Sequence, residues 1–263
     1  AAHSFHGRTM GALSATAQSK YQEAFQPLVP GFRTVPFGDF PALAGAIGPQ
    51  TAAVMLEPLQ GEGGVHPAPA GYLEAVRQLT IKENLLFILD EVQTGLGRTG
   101  KMFAWQHWGA RPDVLTLAKA LGGGVPIGAM LAGKRAAETF VPGDHASTFG
   151  GNPLATAAAL AAFDVVADGL VRQADRVGAY FKGKLGSLAE EWPEIKEVRG
   201  LGLLLGVELS VPAAPIVKAA RDRGLLLLTA GENVLRFAPP LIITEREVDQ
   251  ALPILEEAFS ACK

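Results

Sequence analysis

Between residues 51 and 131 the chain alternates short apolar runs with a stretch of helical periodicity. The apolar runs predict four buried strands, over residues 53–56, 85–89, 114–117 and 127–131. Residues 70–83, between the first two runs, carry apolar side chains at helical spacing. Such alternation predicts an α/β fold with a mostly parallel sheet flanked by helices. Ligands bind at the carboxyl ends of strands in such sheets.

The pattern changes after Gly169, and the rest of the chain predicts a smaller α+β domain. Asn152 followed by Pro153 predicts the start of an Ala-rich helix, and Gly169 predicts its end. We expect helices over residues 170–191 and 213–223, and strands over residues 198–209, 225–229 and 234–238. Thr244–Glu247 has the pattern of a capping box and predicts the start of the last helix. The predicted boundary divides the chain into residues 1–168 and residues 169–263.

Composition narrows the class of protein. A net charge of −3 gives no electrostatic reason to expect a nucleic-acid partner. The single cysteine, Cys262, excludes an internal disulfide and fits a reducing compartment. No apolar run approaches the roughly 20 residues of a membrane span, and no signal peptide is recognisable. We therefore expect a cytoplasmic protein without a membrane partner.

Two charged residues stand in apolar surroundings. Asp90 closes the run Leu85–Leu89, where a carboxylate is costly unless a cation meets it. Lys119 lies in an apolar stretch before three glycines, and lysine is rarely buried without a partner or a reaction. A pyridoxal phosphate (PLP) site needs both, a lysine that condenses with the aldehyde and an acid that keeps the pyridine nitrogen protonated. Taken singly, a lysine that reaches solvent and an aspartate that caps a turn are the ordinary interpretations.

Six motifs together resemble the class III (ornithine-type) PLP-dependent aminotransferases, most of all those acting on acetylornithine or acetyl-lysine. They are Phe5–Thr9, Glu57–Gly64, Asp90–Gly95, Leu117–Gly124, Ser147–Pro153 and Arg236–Leu241. The resemblance implies a fold-type-I PLP-dependent transferase that moves an amino group between an N-acetylated diamino acid and 2-oxoglutarate by a ping-pong mechanism. It also implies that residues 1–168 are an N-terminally incomplete PLP-binding domain. Because a phosphate-cradling helix start is not among these residues, we expect the chain as given to bind PLP weakly.

The resemblance implies a role in cofactor binding for five residues. Lys119 and Asp90 are the expected catalytic pair, holding the cofactor's aldehyde carbon and its ring nitrogen. Phe5 and Val92 are expected to sandwich the ring, and Gln93 to contact the phenolic oxygen. Without the resemblance, Phe5 would be assigned to the core and Gln93 to an exposed loop.

Four further residues are implied in phosphate and substrate binding. Thr148 is expected to reach the cofactor phosphate of a neighbouring subunit, in a homodimer with shared active sites. Arg8 and Arg236 are expected to bind substrate carboxylates through their planar guanidinium groups, with Glu62 as the partner of Arg236. The ordinary alternatives are a turn threonine and two surface arginines.

Other functions stay open from the sequence alone. Gly95–Gly100 satisfies a G-x-G-x-x-G pattern and would serve a nicotinamide-dependent oxidoreductase, but no acidic residue lies about twenty positions further on. A catalytically silent PLP-fold protein, an ω-amino-acid aminotransferase and an aminomutase are further candidates. The five histidines have no zinc spacing, so no metal site is expected. Acetylornithine and acetyl-lysine differ by one methylene, which a pocket distinguishes by only about 1–3 kcal/mol.

Overall fold

The computed structural model describes residues 1–262. Its α-helices are α1 (Met10–Ala15), α2 (Ser19–Gln22), α3 (Phe40–Ala46), α4 (Tyr72–Lys82), α5 (Lys134–Ala137), α6 (Pro153–Val165), α7 (Val171–Glu191), α8 (Ala213–Asp222) and α9 (Glu245–Ser260). Its strands are β1 (Ala53–Leu56), β2 (Leu59–Gln60), β3 (His66–Pro67), β4 (Leu86–Asp90), β5 (Val114–Leu117), β6 (Ala129–Ala132), β7 (Ile195–Leu201), β8 (Leu204–Leu209), β9 (Leu228–Thr229) and β10 (Val234–Phe237).

The first sheet has the strand order β1-β4-β5-β6. The pairs β1–β4 and β4–β5 are parallel, while β6 runs antiparallel to β5 at the edge. The predicted mostly parallel sheet is therefore confirmed. The strand predicted over residues 127–131 is confirmed as β6, although it starts at Ala129, but the prediction that it is buried is wrong, because Met130 and Leu131 are 53% and 45% exposed. An edge strand has a neighbour on one side only, which leaves part of its surface open.

Helix α4 covers the first sheet. Its side chains Leu73 and Val76 are fully buried against Phe87 and Leu89 of β4. Burying an aliphatic or aromatic side chain of this size contributes about 1.5–3 kcal/mol. The predicted helix over residues 70–83 is confirmed, with one or two residues fewer at each end. This core holds the carboxyl ends of β1, β4 and β5 in a fixed arrangement.

The second sheet is antiparallel throughout, with the order β7-β8-β10-β9. Helices α7, α8 and α9 bury one face of it, where Phe181 and Leu185 pack in one core with Leu205. The prediction of one continuous strand over residues 198–209 is wrong. The chain turns back at Gly202 (φ 53°) and forms a hairpin. The strand predicted over residues 225–229 shortens to the two residues of β9.

Helix starts follow the local sequence. The Asn152 side chain accepts a hydrogen bond from the Ala155 N–H, with Pro153 at the first helical position, which confirms the predicted start of α6. Thr244 and Glu247 form the predicted capping box, with the Glu247 carboxylate 2.8 Å from the Thr244 N–H. Both motifs satisfy backbone N–H groups that have no partner inside the helix.

The prediction that Gly169 ends the Ala-rich helix is only partly correct. Gly169 (φ 137°) bends the chain, which then continues directly into α7. Pro153–Glu191 is therefore a kinked helix of 39 residues, long and apolar enough to cross a membrane by length and composition alone. One such helix is weak evidence for a membrane span. The predicted domain boundary between residues 168 and 169 coincides with the bend and stays a prediction.

Close backbone contact makes one glycine of α7 sensitive to substitution. A methyl group on Gly178 would lie 2.3 Å from the carbonyl carbon and oxygen of Gly202, whereas one on Gly183 would meet no atom within 4 Å. We expect Gly178→Ala to lower the free energy of unfolding by about 1–3 kcal/mol through overpacking. Gly183→Ala should raise it by about 0.5–1 kcal/mol, because alanine favours the helix. Urea unfolding of both variants checks this, and equal effects would contradict it.

Candidate active site

Three neighbouring strands deliver charged residues to one edge of the first sheet. Asp90 ends β4, Glu57 directly follows β1, and Lys119 comes two residues after the end of β5. The register aligns Leu56 of β1 with Leu89 of β4, so Glu57 and Asp90 leave the sheet side by side. This edge is the carboxyl end of the parallel strands, where the sequence predicts a ligand.

The carboxylate of Asp90 is buried and held from two sides. Its Oδ1 accepts a hydrogen bond from the Val92 N–H at 3.0 Å, and its Oδ2 lies 2.8 Å from Nδ1 of His6. The His6 side chain is itself only 1% exposed, and its backbone N–H donates to the Thr16 hydroxyl. These contacts fix the orientation of the carboxylate. No role of His6 is predicted from the sequence. Its position between Phe5 and Gly7, in one of the six motifs, could have pointed to a role in the site.

Glu57 is a second buried carboxyl group beside Asp90. Burial raises its pKa to about 8, the Phe5 N–H that donates to Oε2 at 3.1 Å lowers it, and the charge of Asp90 raises it further. Glu57 is therefore mostly protonated at neutral pH. Like charges that share a site drive one carboxyl group to stay neutral. The sequence places Glu57 at a strand end but assigns it no role.

Lys119 has an unusual backbone conformation. Its φ of 48° lies in the left-handed region, which lysine rarely adopts and which costs energy unless the surroundings impose it. Burial lowers the pKa of its amine, while the charges of Glu62 and Asp90 raise it and that of Arg236 lowers it. Lys119 is exposed as a residue, yet it lies near enough to Glu62, Asp90 and Arg236 for their charges to act on its pKa. A lysine amine with a lowered pKa is a better nucleophile near neutral pH.

Glu62 and Arg236 form an ion pair at the boundary between the two sheets. Arg236 Nη1 lies 2.5 Å from Glu62 Oε1, and Gln93 Nε2 donates to the same oxygen at 3.0 Å. Burial acts to raise the pKa of Glu62, but Arg236 and Gln93 hold it below its usual value. The Arg236 Nε is buried without a hydrogen-bond partner in the described residues. The structure thus brings together all three of these predicted residues, with Gln93 engaged by Glu62.

Phe5 and Arg8 lie close together next to Tyr21. The Phe5 ring meets Tyr21 edge-on with centroids 5.6 Å apart. The Arg8 guanidinium lies 4.4 Å from the Tyr21 ring centroid and 5.9 Å from that of Phe5. Arg8 is exposed, and Phe5 is half-buried, as is Val92. Arg8 therefore stands where a ligand beside Phe5 could reach it.

Thr148 is separated from this group. It lies in the exposed segment between α5 and α6, next to Phe149, which is 81% exposed. Within residues 1–262 no hydrogen bond joins Thr148 to the other candidate residues. Its role toward a neighbouring subunit stays a prediction.

The glycine-rich loop Gly95–Gly100 packs against protein. A methyl group on Gly97 would lie 3.1 Å from the Val166 side chain, and one on Gly100 would lie 2.7 Å from Asp175 Oδ1. These glycines allow the loop to approach the α6–α7 region closely. The loop's backbone is thus used for packing, and the oxidoreductase alternative is not favoured.

The raised pKa of Glu57 predicts a pH-dependent loss of stability. The folded protein keeps a proton on Glu57 that the unfolded chain, with a pKa of 4.5, releases. The stability from this group is fully present below about pH 4.5 and is lost as pH rises toward 8. Because each pKa unit corresponds to about 1.4 kcal/mol, the parent should lose about 2–4 kcal/mol relative to Glu57→Gln between pH 5 and pH 8.

Denaturant unfolding at several pH values measures this difference. Glu256→Gln removes an exposed carboxyl group of α9 and serves as the control, whose profile should follow the parent. Parallel profiles for the parent and Glu57→Gln would show that Glu57 is ionised in the folded protein.

Known proteins resemble this chain along almost its whole length. The class III aminotransferase family model matches residues 1–259. An acetylornithine aminotransferase of Caldanaerobacter subterraneus is 52% identical over 262 residues, covering 99% of this chain and 66% of the relative. One from Gloeobacter violaceus is 54% identical over 260 residues, covering 98% and 65%. The chain thus spans just under two thirds of the length of these relatives.

Solved structures agree in fold. The ornithine aminotransferase of Toxoplasma gondii superimposes with a TM-score of 0.94 at 39% identity, covering 99% of this chain and 64% of that one. A second structure of that enzyme is described with partial occupancy of PLP at its active site. The N-acetylornithine aminotransferase of Stenotrophomonas maltophilia has a TM-score of 0.81 at 44% identity, covering 88% and 62%. The chain therefore belongs to the class III aminotransferases and has their fold-type-I architecture.

Proposed function

We propose that this chain carries the catalytic residues of a PLP-dependent aminotransferase that moves an amino group between acetylornithine and 2-oxoglutarate. The observation that carries the proposal is the meeting of Asp90, Lys119 and the Glu62–Arg236 pair at one edge of the first sheet. The likeness to acetylornithine aminotransferases at about half identity supports the substrate class.

The residues present fit PLP. Asp90 is a buried, oriented carboxylate that would hold the ring nitrogen, and Lys119 is an amine of lowered pKa that would hold the aldehyde carbon. Phe5 and Val92 would flank the ring, and Gln93 would face its phenolic oxygen. When bound, PLP supplies an electron-withdrawing ring that stabilises the negative charge left on a deprotonated carbon. Lys119 Nζ would be the base that takes the proton from the substrate carbon.

The two arginines suit substrates of different length. Arg8 would hold the carboxylate that lies far from the reacting amine, which both substrates have. Arg236 would hold the α-carboxylate of glutamate, which the δ-amino end of acetylornithine lacks. Since a buried arginine without a partner is costly, Glu62 would pair with Arg236 in the acetylornithine half-reaction and leave it when glutamate binds.

We also propose a homodimer in which Thr148 reaches the cofactor phosphate of the neighbouring subunit. Five exposed apolar side chains within residues 140–160, the stretch that contains Thr148, support an interface there, since exposed apolar surface marks interaction sites. They are Phe140, Val141, Phe149, Leu154 and Leu160, each more than half exposed in the chain alone. A cytoplasmic location is proposed on the single cysteine, and the absence of a nucleic-acid partner on the net charge of −3.

Two amino donors that are chemically similar to acetylornithine are alternative substrates. Ornithine aminotransferases of Staphylococcus aureus are 51% identical over 257 residues, so the free diamino acid is a second candidate. Acetyl-lysine is a third, because one methylene changes binding by only about 1–3 kcal/mol. Separate rates for the three amino donors distinguish these possibilities.

Lys119→Ala should abolish amino transfer in the full-length enzyme, lowering turnover at least a thousandfold, because no other candidate residue carries an amine that can condense with an aldehyde. The absorption band of the protein-bound cofactor should also disappear, while the far-ultraviolet circular dichroism stays unchanged. Lys101→Ala, at an exposed lysine, is the control. Turnover within tenfold of the parent would remove Lys119 from the mechanism.

Arg236→Ala and Glu62→Ala should impair different half-reactions, measured separately by stopped flow. Loss of Arg236 should slow the half-reaction with glutamate about a hundredfold, since a charge-assisted hydrogen bond to the substrate carboxylate contributes about 1.5–3 kcal/mol. Loss of Glu62 should mainly slow the acetylornithine half, because Arg236 is then left without a partner. Equal losses in both halves for both variants would indicate a static ion pair instead.

A further inference from the structure

The loop that carries Glu62 is held by a second arginine. This loop, the Glu62 loop, comprises residues 61–65 between β2 and β3. Arg199 of β7 is only 6% exposed, and its Nε and Nη2 both donate to the Gly64 carbonyl, at 2.9 and 2.8 Å. Its Nη1 contacts the carboxylates of Glu197 and Glu208. The two carboxylates balance the charge of Arg199, and the rest of its guanidinium is directed to the loop backbone.

The two arginines belong to one row across the second sheet. Strand register pairs Arg199 with Gly206 of β8, and Gly206 with Arg236 of β10. The Glu62 loop lies over this row. Arg236 binds Glu62 at one end, Arg199 binds Gly64, and Val65 lies over Gly206, where an added methyl group would come within 2.8 Å of its Cβ.

The loop backbone is strained and depends on these contacts. Val65 is fully buried at a φ of 56°, and Gly64 has a φ of 118°. A β-branched residue in the left-handed region is a true outlier, and such strain persists only where the surroundings impose it. Burial of Val65 with Leu204 and Val234 supplies part of this support, and the two bonds from Arg199 supply another part.

We propose that Arg199 is a positioning residue that sets how strongly Glu62 holds Arg236, and thereby balances the two half-reactions. It fixes the backbone two residues after Glu62, so that the carboxylate stays within reach of the Arg236 guanidinium. The Glu62 backbone then stays with the second sheet, and only the Glu62 side chain must turn away when a dicarboxylate binds. This inference rests on the proposed function, because it assumes that the pair opens during the reaction.

The experiment compares Arg199→Gln with the parent, both as full-length enzymes. Hydrogen exchange of backbone amides in residues 61–66 should become at least tenfold faster in Arg199→Gln, while residues 204–209 stay unchanged. Stopped flow should show a KM for acetylornithine about tenfold higher, with the glutamate half-reaction within twofold of the parent. Arg199→Lys keeps the charge but can make only one such bond in this direction, so its effects should be intermediate. If Arg199→Gln does not fold, Arg199→Lys is compared with the parent in both measurements instead.

Arg176→Gln is the matched control. Arg176 is an exposed arginine of α7 paired with Glu245, and its loss should change neither measurement. Unchanged exchange in residues 61–66 would overturn the proposal. Faster exchange with equal losses in both half-reactions would overturn it too, because Arg199 would then only support the fold. If the parent itself transfers no amino group, the proposed function fails, while the exchange result still decides whether Arg199 holds the loop.

Discussion

The whole site depends on charged groups being compensated at the boundary of the two sheets. A parallel sheet delivers the ends of β1, β4 and β5 to one edge, and this places Glu57, Asp90 and Lys119 together. Isolated charges in such surroundings would cost several kcal/mol each. Three features offset this free-energy cost: the hydrogen bonds to Asp90, the proton on Glu57 and the Glu62–Arg236 ion pair.

Carboxyl groups in this small region have different protonation states because their partners differ. Burial raises the pKa of Glu57 and the charge of Asp90 raises it further, against the single backbone N–H that lowers it. Glu62 receives a guanidinium and an amide, so its pKa falls despite burial. The neutral Glu57 adds no negative charge beside Asp90, and the charged Glu62 is the group able to exchange partners. Environment, more than residue type, therefore assigns these roles.

Local patterns predict much of the fold. Runs of apolar residues locate β1, β4 and β5, and side-chain caps locate the starts of α6 and α9, because these signals act over a few residues. The hairpin at Gly202 was missed because its turn, Gly202–Leu203, is as apolar as the flanking strands. The exposed face of β6 was missed because burial depends on neighbours that a strand pattern does not specify.

The residues of the candidate site likewise divide into those that the sequence identifies and those that only contacts between distant parts of the chain reveal. Asp90 and Lys119 stand out from their apolar neighbours, and the family resemblance supplies Arg8, Glu62, Gln93 and Arg236. His6 and Arg199 act through contacts with partners 84 and 135 residues away, so neither has a signature in its own neighbourhood.

The connection between the two sheets explains why such distant contacts matter. The Glu62 loop joins β2 to β3, a short antiparallel pair that follows β1, and it rests on Arg199, Gly206 and Arg236 of the second sheet with Glu62 bound to Arg236. Any change in how this loop rests on the second sheet therefore reaches the charges around Lys119, since Glu62 and Arg236 both act on its pKa. The proposed exchange of partners by Glu62 would thus change which carboxylate lies near Lys119 during the reaction. Binding of a substrate dicarboxylate would replace one carboxylate near the amine by another, and the balance of charge at the edge would be kept.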